Sequence, residues 1–289
     1  MLKKSFLHIS LSLVGFVLFS CSNNKNNNTS ENDFEAVEVV KTVIPKQLQY
    51  EILAGEGVIP SNATLFLDCF GIPHLLIDSL VYRVEYAKDD TIHLPMSFYE
   101  SVKPKEICCF TNGEVWFTEE GCLHRIEDNK KEILLKVASE NIHVSSANDK
   151  GAYLTVYDER AKEYELLFIN REEKQIDKLL KSPYPIVVIG TGDITIVAID
   201  NTIYLLEGEE IIPVFRIQEP IKCLAIAPTG IFYATDNKVG YFNLEENIIF
   251  LERKARNILS SGNILYLLLE NGALYKITNT DYINKLTTQ

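Results

Sequence analysis

The sequence predicts an all-β chain folded as a six-bladed β-propeller of four-stranded blades, preceded by a signal peptide and a polar tether. Three observations support this prediction. A glycine recurs in a turn after an apolar strand at a spacing of roughly 40 residues, the length of one four-stranded blade. Short apolar runs alternate with turn signals along the chain. No segment past residue 35 keeps an apolar period of 3.6 residues, so we expect little helix.

The first 20 residues predict a lipoprotein signal peptide that ends at a lipid-modified Cys21. Lys3 and Lys4 supply a positive n-region, and residues 6–19 are mostly apolar. This run is too short for a transmembrane helix, which needs about 20 apolar residues. The tetrad Leu18-Phe19-Ser20-Cys21 resembles a lipobox, which implies transfer of diacylglycerol to the Cys21 thiol, cleavage between Ser20 and Cys21, and acylation of the new amine. An ordinary signal peptide with an incidental cysteine is the alternative.

The segment after Cys21 has the composition of a flexible tether. Residues 22–32 contain no apolar side chain, so they cannot bury surface to offset the chain entropy lost on folding. We therefore assign residues 1–20 to the signal peptide, 21–46 to the lipidated cysteine and tether, and 47–289 to the propeller. Several acyl chains would anchor such a protein stably to a membrane.

The charge of the chain is acidic and excludes one large class of partners. The formal net charge is -12, and loss of the two lysines of the signal peptide takes it to -14. Nucleic-acid binding needs clustered Lys and Arg side chains, so we expect no nucleic-acid partner. The same charge argues against adhesion to anionic headgroups, which leaves the lipid anchor as the expected membrane contact.

Five cysteines lie beyond Cys21. Their number is odd and no CxxC spacing occurs, so the sequence shows no zinc framework. We interpret them as buried free thiols that pack as small apolar side chains. A disulfide between Cys109 and Cys122, across neighbouring strands, is the alternative. The five residues are Cys69, Cys108, Cys109, Cys122 and Cys223.

The repeat is clearest in its second unit. Strands are predicted at 107–110, 115–118, 122–127 and 132–137, and Asn112-Gly113 forms a hairpin turn between the first two. The repeated glycines have spacings of 42, 38, 41, 38 and 32 residues. They are Gly71, Gly113, Gly151, Gly192, Gly230 and Gly262.

The other units follow the same scheme, with a longer second turn at 159–162 in the third. Residues 47–53 are a candidate strand that pairs with the last blade and closes the ring. The predicted strands are 64–70, 74–77, 80–86 and 91–96 in unit one; 186–189, 194–199, 202–206 and 211–217 in unit four; 222–227, 231–235, 239–244 and 248–252 in unit five; and 256–259, 264–269, 273–277 and 282–286 in unit six.

The lipobox, the polar tether and the six units together resemble the TolB-like six-bladed propeller lipoproteins that are common in Bacteroidetes. The resemblance runs from about residue 47 to residue 289. It rests on architecture and not on a diagnostic motif, and the motifs of other propeller families are absent from the sequence. In that phylum, acidic residues after the lipidated cysteine accompany surface display. Here Ser22-Asn23-Asn24-Lys25 follows Cys21, which implies an outer-membrane lipoprotein that faces the periplasm.

The sequence shows no catalytic constellation. GxSxG, HExxH and P-loop motifs are absent, and the histidines have no metal-ligand spacing. His143 could ligate a metal or act as a base, but a lone histidine on a strand more often has a structural role. We therefore expect no catalytic residue, metal site or cofactor. The polar residues predicted on inner strands are Asp68, His143, Ser145, Ser146 and Ser260.

One set of carboxylates is a candidate binding face. The turn between the second and third strand of every unit carries one, and in a propeller these turns share a face. Such a face could attract a basic protein segment or weakly hold a divalent cation. The alternative is that Asp simply favours turns. We call this set the acidic turn set: Asp78, Glu119 (or Glu120), Asp158 (or Glu159), Asp200, Asp236 and Glu270.

The function predicted from these observations is a non-catalytic envelope lipoprotein whose propeller binds a protein or glycan partner. The first alternative is a periplasmic propeller enzyme, a metal-dependent hydrolase or lyase. That alternative predicts His and carboxylate side chains with perturbed pKa values at the mouth of the central channel. The second alternative is a scaffold for outer-membrane machinery. The fold by itself selects none of these, since propellers have many functions.

Overall fold

The structure, a computed structural model, describes most of the predicted propeller. The described residues are 40–42, 50–84, 92–95, 102–127, 130–137, 142–148, 150–191, 194–208, 210–243, 246–278 and 280. Their regular secondary structure is entirely β-strand, which confirms the all-β prediction. Within them, no helix is long and apolar enough to cross a membrane. The signal peptide and Cys21 lie outside the described residues.

Six sheets form the blades, and each sheet follows chain order from the inner to the outer strand, except that an N-terminal strand lies outermost in two of them. Blade 1 contains β3 (Thr64–Leu67), β4 (Pro73–Ile77), β5 (Leu80–Val84) and β6 (Ile92–Pro95); blade 2 contains β7 (Glu106–Cys109), β8 (Val115–Glu119), β9 (Cys122–Glu127) and β10 (Lys130–Lys136); and blade 3 contains β11 (Ile142–Asn148), β12 (Gly151–Asp158), β13 (Glu163–Asn170) and β14 (Ile176–Ser182).

The remaining three blades include the two N-terminal strands, β1 (Val40–Thr42) and β2 (Tyr50–Ala54). Blade 4 contains β15 (Ile186–Thr191), β16 (Ile194–Ile199), β17 (Thr202–Glu207) and β18 (Glu210–Arg216); blade 5 contains β19 (Cys223–Ala227), β20 (Gly230–Ala234), β21 (Val239–Asn243), β22 (Glu246–Leu251) and β1; and blade 6 contains β23 (Ala255–Ser261), β24 (Ile264–Leu269), β25 (Leu274–Ile277) and β2. The inner strands of consecutive blades contact one another around a closed ring. The six-bladed propeller is therefore confirmed.

The outer pair of strands is irregular in every blade. A register shift interrupts the pairing of the third and fourth strands in all six sheets. Such bulges increase the local right-handed twist, so each blade turns as it extends from the axis to the rim. In blade 6 the shift lies between Ile52 and Ala54 of β2. The N-terminal strand β2 thus has the same register shift as the fourth strands of the other blades, although those strands follow the third strand in the chain.

The ring closes through the N-terminal segment, as predicted for residues 47–53. Strand β2 pairs antiparallel with β25, with Tyr50 opposite Ile277. The following loop binds the β24–β25 turn, where Gly57 N–H donates to the Asn271 carbonyl at 2.7 Å. The strand predicted at 282–286 lies outside the described residues, and β2 holds the position next to β25.

Strand β1 was not predicted. Val40–Thr42 falls in the segment assigned to the tether, yet it pairs in parallel with β22 and adds a fifth strand to blade 5. Val40 lies opposite Asn247 and Thr42 opposite Ile249. The chain therefore contacts the rim of blade 5 before it closes blade 6.

The hydrophobic core is divided into clusters that lie between neighbouring blades. Trp116 of blade 2 packs in the same cluster as Leu154 of blade 3, and both are at most 1% exposed. Phe232 of blade 5 shares a cluster with Leu267 of blade 6. Because both faces of each blade are covered, the second strands are apolar on both sides, as in β12 and β24.

The cysteines form no disulfide in the described part of the chain, and the Cys109–Cys122 alternative is wrong. Cys109 lies on β7 and Cys122 on β9, with β8 between them, so the two are not on neighbouring strands. All five cysteines that the structure describes are free thiols. Burial raises the pKa of Cys223 to about 12, which leaves this thiol protonated at neutral pH.

Candidate functional site

The inner strands of the six blades surround a channel on the axis of the ring, with a volume of about 590 Å³. Most of its lining is apolar. Because the inner strands run in the same sense, their first residues meet at one end of the channel. We call this end the channel mouth and define it by Thr64, Glu106, His143, Ile186, Lys222 and Arg256, one residue from each blade.

Glu106 and His143 form a direct pair across the joint between blades 2 and 3. The Nδ1–H of His143 donates to Oε1 of Glu106 at 2.6 Å, and Glu106 Oε2 accepts the Val144 N–H at 2.6 Å. The hydrogen bond to the Glu106 carboxylate raises the pKa of His143, and desolvation opposes this effect. The carboxylate therefore stabilises an imidazolium at the channel mouth.

Lys222 and Arg256 lie at the mouth in blades 5 and 6. The Lys222 ammonium is 3.8 Å from the Asp236 carboxylate, which also contacts Lys254 at 3.3 Å. Arg256 donates from Nη1 to the Pro60 carbonyl at 2.8 Å. Its Nε and Nη2 are covered by protein and have no hydrogen-bond acceptor. Burial lowers the pKa of Arg256 from its ordinary value, and Glu270 partly offsets this.

Three other polar groups of the channel lining form hydrogen bonds within the protein. Asn257 donates to the Leu65 carbonyl at 3.1 Å and links blade 6 to blade 1. The Ser260 hydroxyl donates to the Ile226 carbonyl, and the Cys223 thiol donates to the Arg256 carbonyl. These bonds hold adjacent inner strands together, so the wall of the channel is a preformed surface. Among the described residues, no group of three His, Cys, Asp or Glu side chains could hold a metal ion.

The acidic turn set lies on the face of the channel mouth, because every member ends or follows a second strand. Local geometry explains several of the residue types. Asp78 and Asp200 adopt φ angles of 50° and 54°, in the left-handed region that Asp tolerates better than most residues. Asp158 accepts the N–H groups of Arg160 and Ala161 within its own turn.

Several carboxylates of the set are engaged by the protein's own donors. Asn62 binds Asp78 at 2.5 Å. Glu119 accepts the Lys103 N–H at 2.7 Å and pairs with the Lys131 ammonium. Asp236 lies between two lysines, as described above. The structure thus brings the predicted residues to one face, whereas their role in binding a partner stays a prediction.

Three residues of the channel mouth were missed by sequence reasoning. Glu106, Lys222 and Arg256 were not among the polar residues considered on inner strands. Lys222 and Arg256 were already the first residues of predicted strands, so attention to strand starts could have found them. Glu106 precedes the predicted strand 107–110 by one residue. The observed strand β7 begins at Glu106 and places it in the channel wall.

Comparison of sequences assigns no family to this chain. No protein-family model matches it, and no curated protein matches it.

Comparison of structures shows the fold. The chain is similar to virginiamycin B lyase from Staphylococcus aureus, with a TM-score of 0.52 and 19% identity over 74% of this chain and 79% of that one. It is similar to the N-terminal domain of Nup159, with a TM-score of 0.52 and 9% identity over 82% and 97%. TolB from Acinetobacter baumannii is a further neighbour, with a TM-score of 0.49 and 9% identity over 74% and 62%. The structural neighbours are β-propellers, TolB among them.

Proposed function

We propose that this chain is an envelope lipoprotein whose propeller is a non-catalytic binding module for a protein or glycan partner. The observation that carries the proposal is the preformed axial channel, which is open, mostly apolar and ringed by polar side chains at its mouth. Ligand sites in proteins commonly have this size and composition. The neighbours of the fold have varied roles, so the site and not the fold supports this function.

The cellular part of the proposal rests on the sequence. The signal peptide, the lipobox cysteine Cys21 and the polar residues after it support an acylated N-terminus that attaches the propeller to a membrane. The likeness of these features to the TolB-like lipoproteins of Bacteroidetes supports an outer-membrane location that faces the periplasm. The anchor would then hold the propeller near envelope proteins and glycans, which are the proposed partners.

The first experiment is affinity capture of the lipidated full chain from native envelopes, with crosslinking, mass spectrometry and arms with and without EDTA. A variant that obstructs the channel tests where the partner binds. Ser145 lines the channel and is exposed, so Ser145→Trp adds bulk there. Ile133 is 59% exposed on outer strand β10, so Ile133→Trp adds the same bulk at the rim.

We expect a stoichiometric partner that Ser145→Trp loses and Ile133→Trp retains. Capture that is identical for both variants would contradict binding at the channel. Charge reversal of Asp158, Asp200 and Asp236 then tests the acidic turn set. Unchanged partner binding in that triple variant would exclude the set as the binding face, and loss of binding in EDTA would implicate a divalent cation held there.

One observation favours a second candidate, a propeller enzyme such as a hydrolase or lyase. A histidine and a carboxylate meet at the channel mouth, and the pKa of His143 is raised by its bond to Glu106. A raised imidazole pKa suits a proton donor better than a base at neutral pH. Turnover of an ester or glycan that His143→Gln abolishes, with folding intact, would support the enzyme. Absence of that loss in a chain with measurable turnover would exclude this pair as its catalytic group.

A further inference from the structure

The charged groups of the channel mouth are unevenly distributed. Only four residues of the lining carry a charged or imidazole side chain: Glu106, His143, Lys222 and Arg256. The single carboxylate is already engaged by His143 and by the Val144 N–H. What remains is the positive charge of Lys222 and Arg256, in neighbouring blades. The channel lining therefore carries a net positive charge at blades 5 and 6, although Asp236 lies 3.8 Å from the Lys222 ammonium and the acidic turn set lies on the same face.

One edge of the Arg256 guanidinium has no hydrogen-bond acceptor. The Nε and Nη2 nitrogens form one edge of the guanidinium, and their N–H groups point in parallel, which matches the two oxygens of a carboxylate or phosphate. In Arg256 this edge has no acceptor and is covered by protein, while Nη1 is held by the Pro60 carbonyl. N–H groups that are covered by protein without an acceptor destabilise a protein unless a bound group compensates them. Glu270 acts on this charge only at a distance.

The rest of the lining fits an apolar body. Leu67, Val187, Ile189, Ile226 and Leu259 contribute to the channel wall and are partly exposed. Phe66 is the lining's aromatic residue and is only 6% exposed, so the wall offers little surface for stacking on a sugar ring. A ligand complementary to this channel therefore has an anionic head and an apolar chain.

We propose that the channel binds a carboxylate on an apolar chain, and that the unpaired Nε–Nη2 edge of Arg256 receives the carboxylate with Lys222 beside it. This inference rests on the proposed binding function and names the ligand chemistry of the same site. The proposal requires the Arg256 side chain to turn so that this edge, which is covered in the structure, faces the channel and forms a bidentate bond. The carboxylate can belong to a peptide C-terminus or to a free organic acid.

The test uses matched pairs of probes on the folded full-length chain, measured by NMR titration and calorimetry. N-acetyl-leucine and its amide represent a peptide C-terminus, and hexanoate and hexanamide represent a free organic acid. Each pair has the same apolar chain, with a negatively charged carboxylate in one member and a neutral amide in the other. We expect at least one acid to bind about tenfold or more tighter than its amide, because a bidentate charge-assisted bond is lost in the neutral twin.

Three variants assign the effect to its residue. Arg256→Met should abolish the preference for the acid, whereas Arg256→Lys should keep part of it, since the charge remains and the fork is lost. Lys222→Met should weaken it less than Arg256→Met, because Lys222 already contacts Asp236. Comparison of Arg256→Lys and Lys222→Met keeps the test informative if Arg256→Met fails to fold. A preference that is the same in all variants would overturn the proposal.

The outcomes separate this inference from the function on which it rests. Equal binding of acid and amide, or binding of neither at millimolar concentration, overturns the carboxylate proposal. If a channel-dependent partner is still captured from envelopes, the binding module stands without it. If the acids bind through Arg256 but no capture depends on the channel, the carboxylate site is supported and the partner-binding function is overturned.

Discussion

The Nδ1 atom of His143 lies 2.6 Å from Oε1 of Glu106, and this pair joins the inner strands of blades 2 and 3 at the channel mouth. The two residues are 37 positions apart in the chain. The same carboxylate also accepts the Val144 N–H, so one side chain fixes the start of β11 against β7. Because an imidazolium binds a carboxylate more strongly than a neutral imidazole does, this joint depends on pH.

The pair should stabilise the fold in acid more than in base. The pKa of His143 is raised in the folded chain above its unfolded value of about 6.5, chiefly by the bond to Glu106. Its contribution to the free energy of unfolding is thus complete below about pH 6.5 and is lost as the pH rises through the folded pKa. The His143 side chain is 58% exposed, so solvent screening limits the contribution to about 1 kcal/mol or less.

Urea unfolding of the wild-type chain, His143→Gln and Glu106→Gln measures this contribution. The difference between wild type and His143→Gln should be larger below about pH 6 than above about pH 8. NMR titration of the His143 ring should give a pKa above the ordinary value in wild type and a lower one in Glu106→Gln. A difference in stability that does not change with pH would exclude the imidazolium pair.

Removal of Glu114 should destabilise the joint between blades 2 and 3 strongly. Glu114 is 6% exposed, and its Oε1 accepts the Trp116 indole N–H at 2.6 Å. Arg125 and Arg171 lie 3.5 and 3.8 Å from its carboxylate, and Arg171 belongs to blade 3. Glu114→Ala leaves the buried indole N–H and both guanidinium groups without this partner. Loss of one member of a buried pair costs about 3 kcal/mol or more.

Glu114→Gln is the informative comparison. It keeps an oxygen for Trp116 and removes only the charge, so it should cost less than Glu114→Ala. Trp116 is the single tryptophan of the sequence, and its fluorescence reports unfolding directly. Glu172→Ala, on the exposed turn next to Arg171, is the matched control and should change stability by about 0.5 kcal/mol or less. Equal losses in the Ala and Gln variants would assign the stabilisation to the ion pairs alone.

The strands were predictable because their signals are local. Alternation, turn glycines and spacing are properties of about 40 neighbouring residues, and they placed the inner three strands well in the five units for which strand bounds were predicted. The pairing of β1 with β22 depends on a contact between residues about 200 positions apart, as Val40 opposite Asn247 shows. Strand β1 has only three residues and no turn signal beside it, so the local sequence does not indicate a strand there.

The candidate site was harder to predict, because its chemistry depends on contacts between blades. No local pattern relates Glu106 to His143, or leaves the Nε–Nη2 edge of Arg256 without an acceptor. The second-to-third-strand turns that carry the acidic turn set could be located from the sequence, since such a turn is a local feature. The engagement of Glu119 by Lys131 and of Asp236 by Lys254 depends on three-dimensional neighbours and was not predicted.

The buried thiols should react slowly in the folded chain, and all five thiols should react after unfolding. Cys108 and Cys122 are buried, and burial raises the pKa of Cys108 well above its ordinary value. Because the thiolate is the reactive form, Cys223, with a pKa of about 12, should also react slowly. A chain that begins after Cys21 should therefore give five thiols with Ellman's reagent in denaturant and fewer in native buffer. Three thiols in denaturant would instead indicate a disulfide.

Gly272 should be the glycine that matters most for ring closure. It lies in the β24–β25 turn with a φ angle of 82°, and a Cβ atom there would lie 2.4 Å from the Ile59 carbonyl oxygen. Ile59 donates its N–H to the Gly272 carbonyl at 3.2 Å, so the backbones are in direct contact. Gly272→Ala must therefore separate the N-terminal loop from the turn on which it closes. Its cost should exceed the strain of the φ angle alone.

Gly57 supplies the matched control within the same closure. Its φ angle is 77°, and a Cβ atom there would meet no atom within 4 Å. Gly57→Ala should cost about 1 kcal/mol, the strain of a left-handed alanine. Gly272→Ala should cost at least about 1 kcal/mol more, in the range of a backbone clash at a tightly packed site. Urea unfolding and thermal melting of both variants measure the difference. Equal costs would mean that the loop after β2 is not in close steric contact with the β24–β25 turn. Closure of the ring would then depend on β2 alone.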